Sequence, residues 1–147
     1  MGKFKNFELY EFIDSDVAKK KNIDNSPSFE IVDHLEELVE KFLQPLRNAL
    51  GLPINVSSGY RCSRLNTAVG GSSTSAHLIG YAADITCPLM TFSKFVNYVK
   101  DWVGKNNIKF DQLIIETDKK TGAQWLHVGF RNRAGQQRCQ ILNINKE

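Results

Sequence analysis

The sequence predicts an α+β fold, in which a helical N-terminal half packs on a small antiparallel sheet. Two observations carry that expectation. Val32, Leu35, Val39, Phe42, Leu46 and Leu50 recur at three- and four-residue spacing, the signature of one long amphipathic helix. Strand-like segments at 109–116, 124–130 and 138–143 then crowd the far end, so helices dominate one half and strands the other. A length of 147 residues suits one domain, 1–147, large enough to bury a core without disulfide staples.

Two short helices are expected at 8–13 and 15–21, ending at the turn-rich stretch 22–27. Ser26 is expected to cap the long helix with Pro27 in its first turn, Pro45 to kink it and Gly51 to end it. Ile54-Asn55-Val56-Ser57 reads as a short strand running into the loop Ser58-Gly59-Tyr60-Arg61. A brief helix at 63–69 meets Gly70-Gly71 and a serine-rich loop that ends at His77. The segment 82–86 reads as a buried strand with Asp84 an unexpected charge inside it. Thr91 is the expected cap of a second amphipathic helix, 91–103, that turns Phe92, Phe95, Val96, Val99 and Val103 inward.

Composition narrows the function classes. The net charge of +3, with no Lys/Arg stripe interleaved with aromatics, argues against a nucleic-acid partner. Cys62, Cys87 and Cys139 are an odd set without Cys-x-x-Cys spacing, which argues against a disulfide framework and a thiolate zinc knuckle. They read as reduced thiols, with Cys62–Cys87 the one pairing left open. The cationic start Met1-Gly2-Lys3-Phe4-Lys5-Asn6 leads into no apolar segment, and no window approaches a membrane span. The chain is therefore expected to be made in the cytoplasm without an ordinary export signal, and to act as a monomer.

The chemistry concentrates in Ser75-Ala76-His77-Leu78-Ile79-Gly80-Tyr81-Ala82-Ala83-Asp84 and in Trp125-Leu126-His127-Val128-Gly129-Phe130. Asp84, bounded by Ala82, Ala83 and Ile85, is costly to bury unless it is paired or metal-bound. Alone it reads as a salt bridge to Arg61 or Arg64, and His127 alone as a core histidine. Together with His77 they form a set of two imidazoles and one carboxylate that leaves a coordination position open for water, the pattern of catalytic zinc. His34, with Glu30 and Glu37 at i−4 and i+3, reads as solvated. The same ligand set serves non-haem iron oxygenases, but the helix-rich first half argues against their double-sheet barrel. There is no P-loop, dinucleotide fingerprint, Gly-x-Ser-x-Gly elbow or His-Glu-x-x-His helix.

A zinc hydrolase also needs a base for its water, and register points to Glu116. The segment Thr117-Asp118-Lys119-Lys120-Thr121-Gly122 is strongly turn-forming, so its flanking strands should pair as a hairpin. If Glu116 lies opposite Trp125, then Ile114 lies opposite His127, and Glu116 shares a face with His127 on the diagonal. A slip of one residue turns Glu116 away and leaves it an exposed strand end. Arg61, at a strand-to-loop exit, reads either as a clamp for substrate carboxylate or carbonyl oxygen, or as a structural partner of backbone or Asp84. Ser75 reads as a substrate hydrogen-bonder or as a satisfier of loop backbone.

These pieces together resemble the zinc D-Ala-D-Ala carboxypeptidase and endolysin-type peptidase family of bacteria and phages, in the fold group of lysostaphin-type peptidases and the hedgehog domain. The resemblance runs from Ile23-Asp24-Asn25-Ser26-Pro27 through Leu43-Gln44-Pro45-Leu46-Arg47, Val56-Ser57-Ser58-Gly59-Tyr60-Arg61 and Asn66-Thr67-Ala68-Val69-Gly70-Gly71. It includes Ser-x-His-x-x-Gly-x-Ala-x-Asp at 75–84, Phe110-Asp111-Gln112-Leu113-Ile114-Ile115-Glu116, and the distal Trp125-Leu126-His127. It implies that His77, Asp84 and His127 bind one zinc ion, that Arg61 binds substrate or transition state, and that the substrate is a peptidoglycan peptide. It also implies action at the cell wall for a phage lysis protein, and in the cytoplasm otherwise. Many members of the wider family place a glutamate three residues before the last histidine, where this chain has Gln124. Either Glu116 supplies the carboxylate, or the chain is a zinc-stabilised binding module, a use that the hedgehog relatives make of this fold.

Overall fold

A helix begins where backbone N–H groups find a cap, and the chain starts with two such short turns. The computed structural model describes residues 4–146; residues 1–3 of the cationic start, and 147, lie outside them. In α1 (Leu9–Ile13) the Glu11 carboxylate accepts from the Glu8 N–H at 2.7 Å. In α2 (Asp16–Lys20) the Ser15 hydroxyl accepts from the Ala18 N–H at 3.2 Å.

The long helix begins two residues later than expected. Ser28 caps α3 (Phe29–Leu38), accepting from the Ile31 N–H at 3.2 Å. Ser26 is taken instead by Asp24, whose Oδ1 accepts from both its N–H (2.9 Å) and its hydroxyl (2.6 Å). Around Pro45 the helix changes its winding. The residues before it, Val39–Leu43, widen into a π turn that hands over to α4 (Gln44–Leu50), with the Gln44 N–H donating to the Val39 carbonyl. Pro45 has no N–H to give, and the wide turn before it takes up the missing hydrogen bond. Gly51, at φ 72°, ends the helix as expected.

Five strands follow in the order β1-β2-β4-β3-β5. They are β1 (Asn55–Ser58), β2 (Ala82–Thr86), β3 (Gln112–Asp118), β4 (Gln124–Gly129) and β5 (Gln140–Lys146). Between them lie α5 (Ser63–Ala68), a 3₁₀ turn (Ala76–Ile79) and α6 (Phe92–Lys105), which Thr91 caps. The α+β class holds, with one correction to the expected antiparallel sheet. β1, β2, β4 and β3 pair antiparallel, but β5 runs parallel to β3. After the β3–β4 hairpin the chain turns back along the direction of β3. β2 already occupies the outer side of β4, so the last strand crosses to the free side of β3.

Each face of the sheet has one task. Ala83 and Ile85 of β2, Leu113 of β3, and Leu126 and Val128 of β4 enter the core with Leu35, Val39, Phe42 and Leu46 of the long helix and Phe95 and Val99 of α6. The period of two then forces the intervening residues, Asp84, Ile114, Glu116, Trp125 and His127, onto the opposite face. Burial of the apolar set anchors the sheet, and the polar set is carried on its back. Cys62, Cys87 and Cys139 are all free thiols. Among the described residues no helix is long and apolar enough to cross a membrane.

Candidate metal centre

His77 reaches the site through a short, heavily specified turn. The Ser75 hydroxyl accepts from the His77 N–H at 3.1 Å and starts the 3₁₀ turn. Gly80, at φ 78°, ends it and points the chain into β2. The His77 Nδ1 lies 2.6 Å from the Gly59 carbonyl, which can only accept, so Nδ1 carries the proton and Nε2 keeps its lone pair. Gly59 is itself packed so closely on Phe12 that an added Cβ would lie 2.5 Å from the Phe12 carbonyl oxygen. Burial pushes the His77 imidazole below its ordinary range, against the pull of Asp84, and so favours the neutral form that a metal requires.

Asp84 and His127 face each other across the β2–β4 pair. The Asp84 Oδ1 lies 3.1 Å from the His77 Nε2 and 3.1 Å from the His127 Nδ1. Burial alone would raise the Asp84 carboxyl, but the two imidazoles outweigh it and hold it well below the usual carboxylate range. The three ligand atoms lie within 4.8 Å of one another and could hold a metal ion. The donor chemistry fits one: two borderline nitrogens, one hard oxygen, and a second partner already fixing the tautomer of His77.

The strand register expected for Glu116 is the one observed. Glu116 pairs with Trp125 and Ile114 with His127, held by a tight turn in which the Gly122 N–H donates to the Asp118 carbonyl at 2.7 Å. The Glu116 Oε2 accordingly lies 4.0 Å from the His127 Nδ1. Gln124 lies on the other side of β4 with Leu126 and Val128, exposed at the strand end, where its amide donates to the Thr117 hydroxyl at 3.2 Å. A glutamate at 124 would therefore point away from His127.

An open cleft of about 440 Å³ exposes the cluster, with Arg61, Ser75, Asp111, Arg138, Ile144 and Lys146 in its wall. Arg61 is half-buried. Its Nε is enclosed with no hydrogen-bond partner among the described residues, and its charge lies in the field of Asp84 and Glu116. Arg64, the other candidate partner of Asp84, is exposed on α5. Ser75 lines the cleft while its hydroxyl oxygen caps the turn.

His34 corrects the sequence reading. It is not solvated: its Nδ1 meets the Ile79 carbonyl at 2.6 Å and its ring stacks on Tyr81 at 4.1 Å. It braces the turn that carries His77.

Four side chains at or beside the cleft make contacts that sequence reasoning does not reach. Trp125 donates its indole N–H to the Glu116 Oε2 at 2.9 Å, and Lys146 sets its ammonium 3.0 Å from the Oε1. Asp111 is gripped by the Arg138 guanidinium at 2.7 and 2.9 Å; burial opposes ionisation, but these bonds hold its carboxyl below its usual range. The expected hairpin register already sets Trp125 opposite Glu116, so only their hydrogen bond is new. Nothing local points to Lys146 or Arg138, whose places depend on where β5 docks.

Known proteins resemble this chain over much of its length. A stretch of 44 residues is 48% identical to the zinc D-Ala-D-Ala carboxypeptidase of Streptomyces albus G, covering 29% of this chain and 17% of that protein. The peptidase M15 family matches residues 5–119, a span that contains Arg61, His77, Asp84 and Glu116, while the fold itself delivers His127 to them. The chain belongs to the peptidase M15 family.

Proposed function

We propose that this protein is a zinc peptidase that hydrolyses an amide bond in peptidoglycan stem peptides, as a D-Ala-D-Ala carboxypeptidase or an endolysin-type endopeptidase. The observation that carries the reading is the convergence of His77, Asp84 and His127 in an open cleft, with the Glu116 carboxylate 4.0 Å from the His127 Nδ1. The zinc relative and the family support it. His77 Nε2, Asp84 Oδ1 and His127 Nδ1 would hold the ion, which supplies Lewis-acid polarisation of the scissile carbonyl and of the attacking water.

The chain's own groups do the rest. Glu116 takes the proton of the attacking water at Oε2 and delivers it to the leaving amine. Arg61, which lines the cleft beside Asp84 and Glu116, stabilises charge on the carbonyl oxygen or binds a terminal carboxylate. Ser75 on the cleft wall is a substrate contact. On this reading residues 1–147 act as a monomeric single domain, on the cell wall as a phage lysis protein or within the cytoplasm on free peptides.

Comparison of wild type with Glu116→Gln tests the proposal on purified peptidoglycan and on a peptide ending in D-Ala-D-Ala. Wild type is expected to cleave one of them. The variant should keep its zinc and lose at least about a hundred-fold in kcat, the scale of a removed general base. Zinc retention with no hydrolysis by either protein overturns the enzyme reading and leaves a zinc-stabilised wall-binding module.

A further inference from the structure

The Glu116 carboxylate is buried, with 8% of its side chain exposed, yet both of its oxygens are taken by donors from different strands. Trp125, directly across β4, holds Oε2 at 2.9 Å. Lys146 comes from β5, the parallel strand on the other side, and holds Oε1 at 3.0 Å. The Lys146 ammonium also sits 5.7 Å from the centre of the Trp125 ring, so the three side chains close on one another. Oε2 is the oxygen 4.0 Å from the His127 Nδ1.

A glutamate has three rotatable side-chain bonds, and one anchored oxygen leaves its carboxylate free to swing. Two donors on two different oxygens fix its plane. Burial makes the arrangement more demanding, because a charge removed from water needs a compensating charge. Among the described residues Lys146 is the cation nearest Glu116, and its side chain is still 48% exposed, so it can reach Oε1 without being buried itself.

We propose that Lys146 is a positioning residue for Glu116: with Trp125 it clamps the carboxylate so that Oε2 faces the metal cluster. This rests on the peptidase reading above. β5, an exposed edge strand, thereby supplies Lys146 to the machinery of the proposed active site beside Ile144 on the cleft wall. The β3–β5 pairing itself is main-chain hydrogen bonding, so removing the ammonium leaves the strand in place.

The test uses the full chain and its Lys146→Met and Lys146→Arg variants, with steady-state kinetics on the substrate that wild type cleaves and zinc content measured alongside. Lys146→Met is expected to lose about ten- to thirty-fold in kcat, the scale of one charge-assisted hydrogen bond, with KM and zinc content unchanged. Lys146→Arg should recover to within about three-fold of wild type, because a second cation can reach the same oxygen. An unchanged kcat in Lys146→Met overturns the proposal while leaving the peptidase reading intact. A raised KM with unchanged kcat also overturns it, and makes Lys146 a substrate contact. Absence of any wild-type hydrolysis removes both readings together.

Discussion

The Tyr81 hydroxyl donates to the Glu37 Oε1 at 2.7 Å, tying the long helix to the residue that leads into the strand of Asp84. Arg131, just beyond β4, closes the same carboxylate from the other side, with its Nε 3.1 Å from Oε1. One helical glutamate thus braces the strands that carry Asp84 and His127 of the candidate metal centre.

This brace sets a pH dependence. Burial alone would raise the Glu37 carboxyl, but hydrogen bonds from Arg131, Tyr81 and Lys41 bring it down from 4.5 to about 2. A carboxylate held low in the folded state stabilises at pH above its unfolded value and loses that contribution as pH falls toward the folded one. Glu37→Gln is therefore expected to cost on the order of 1–3 kcal/mol at neutral pH, with the difference fading between about pH 4.5 and pH 2. Urea unfolding of both proteins across that window checks it, and a pH-independent difference contradicts it.

Among the described residues Asp84 is the one carboxylate within hydrogen-bond reach of both imidazoles, 3.1 Å from each. Asp84→Ala is expected to bind zinc at least about ten-fold more weakly and to purify with far less than one equivalent. Elemental analysis after dialysis measures this. Chelation of zinc should lower the Tm of wild type much more than that of the variant, since the ion binds the folded state.

Gly59 has no room for a side chain beside Phe12, and its carbonyl orients His77. Gly59→Ala is expected to destabilise the chain by about 1–3 kcal/mol through overpacking, and to weaken zinc binding in the protein that still folds. Thermal unfolding and a zinc titration read the two effects separately. A variant with wild-type zinc affinity would show that the Gly59 carbonyl does not set the ligand.

Gln124 lies three residues before His127, yet β4 turns it from the cleft. Gln124→Glu should leave kcat within about two-fold of wild type, as expected for an exposed position away from the site. A large gain would mean that the β4 register differs in solution.

Much of the site is legible in the sequence because it violates local pattern. A charge among Ala82, Ala83 and Ile85 has no bland place in a buried strand, and the turn at 117–122 fixes the hairpin register that aims Glu116. What stays hidden is non-local. Ser26 and Ser28 are equivalent caps until Asp24 captures the first. His34 lies on a polar helix flank until the Ile79 carbonyl arrives from a segment 45 residues away. The direction of β5 depends on which edge of the sheet is vacant, a question of topology that no residue of 140–146 answers.

That edge position has its own consequence for which substitutions the chain tolerates. Ile141 and Leu142 are each about two-fifths exposed and stand outside the cleft wall, so changes there should accumulate more freely than at Ile144, which lines it. A proline is the exception: at any position whose amide is engaged by β3 it would unzip the outer wall of the cleft and carry Lys146 away with it.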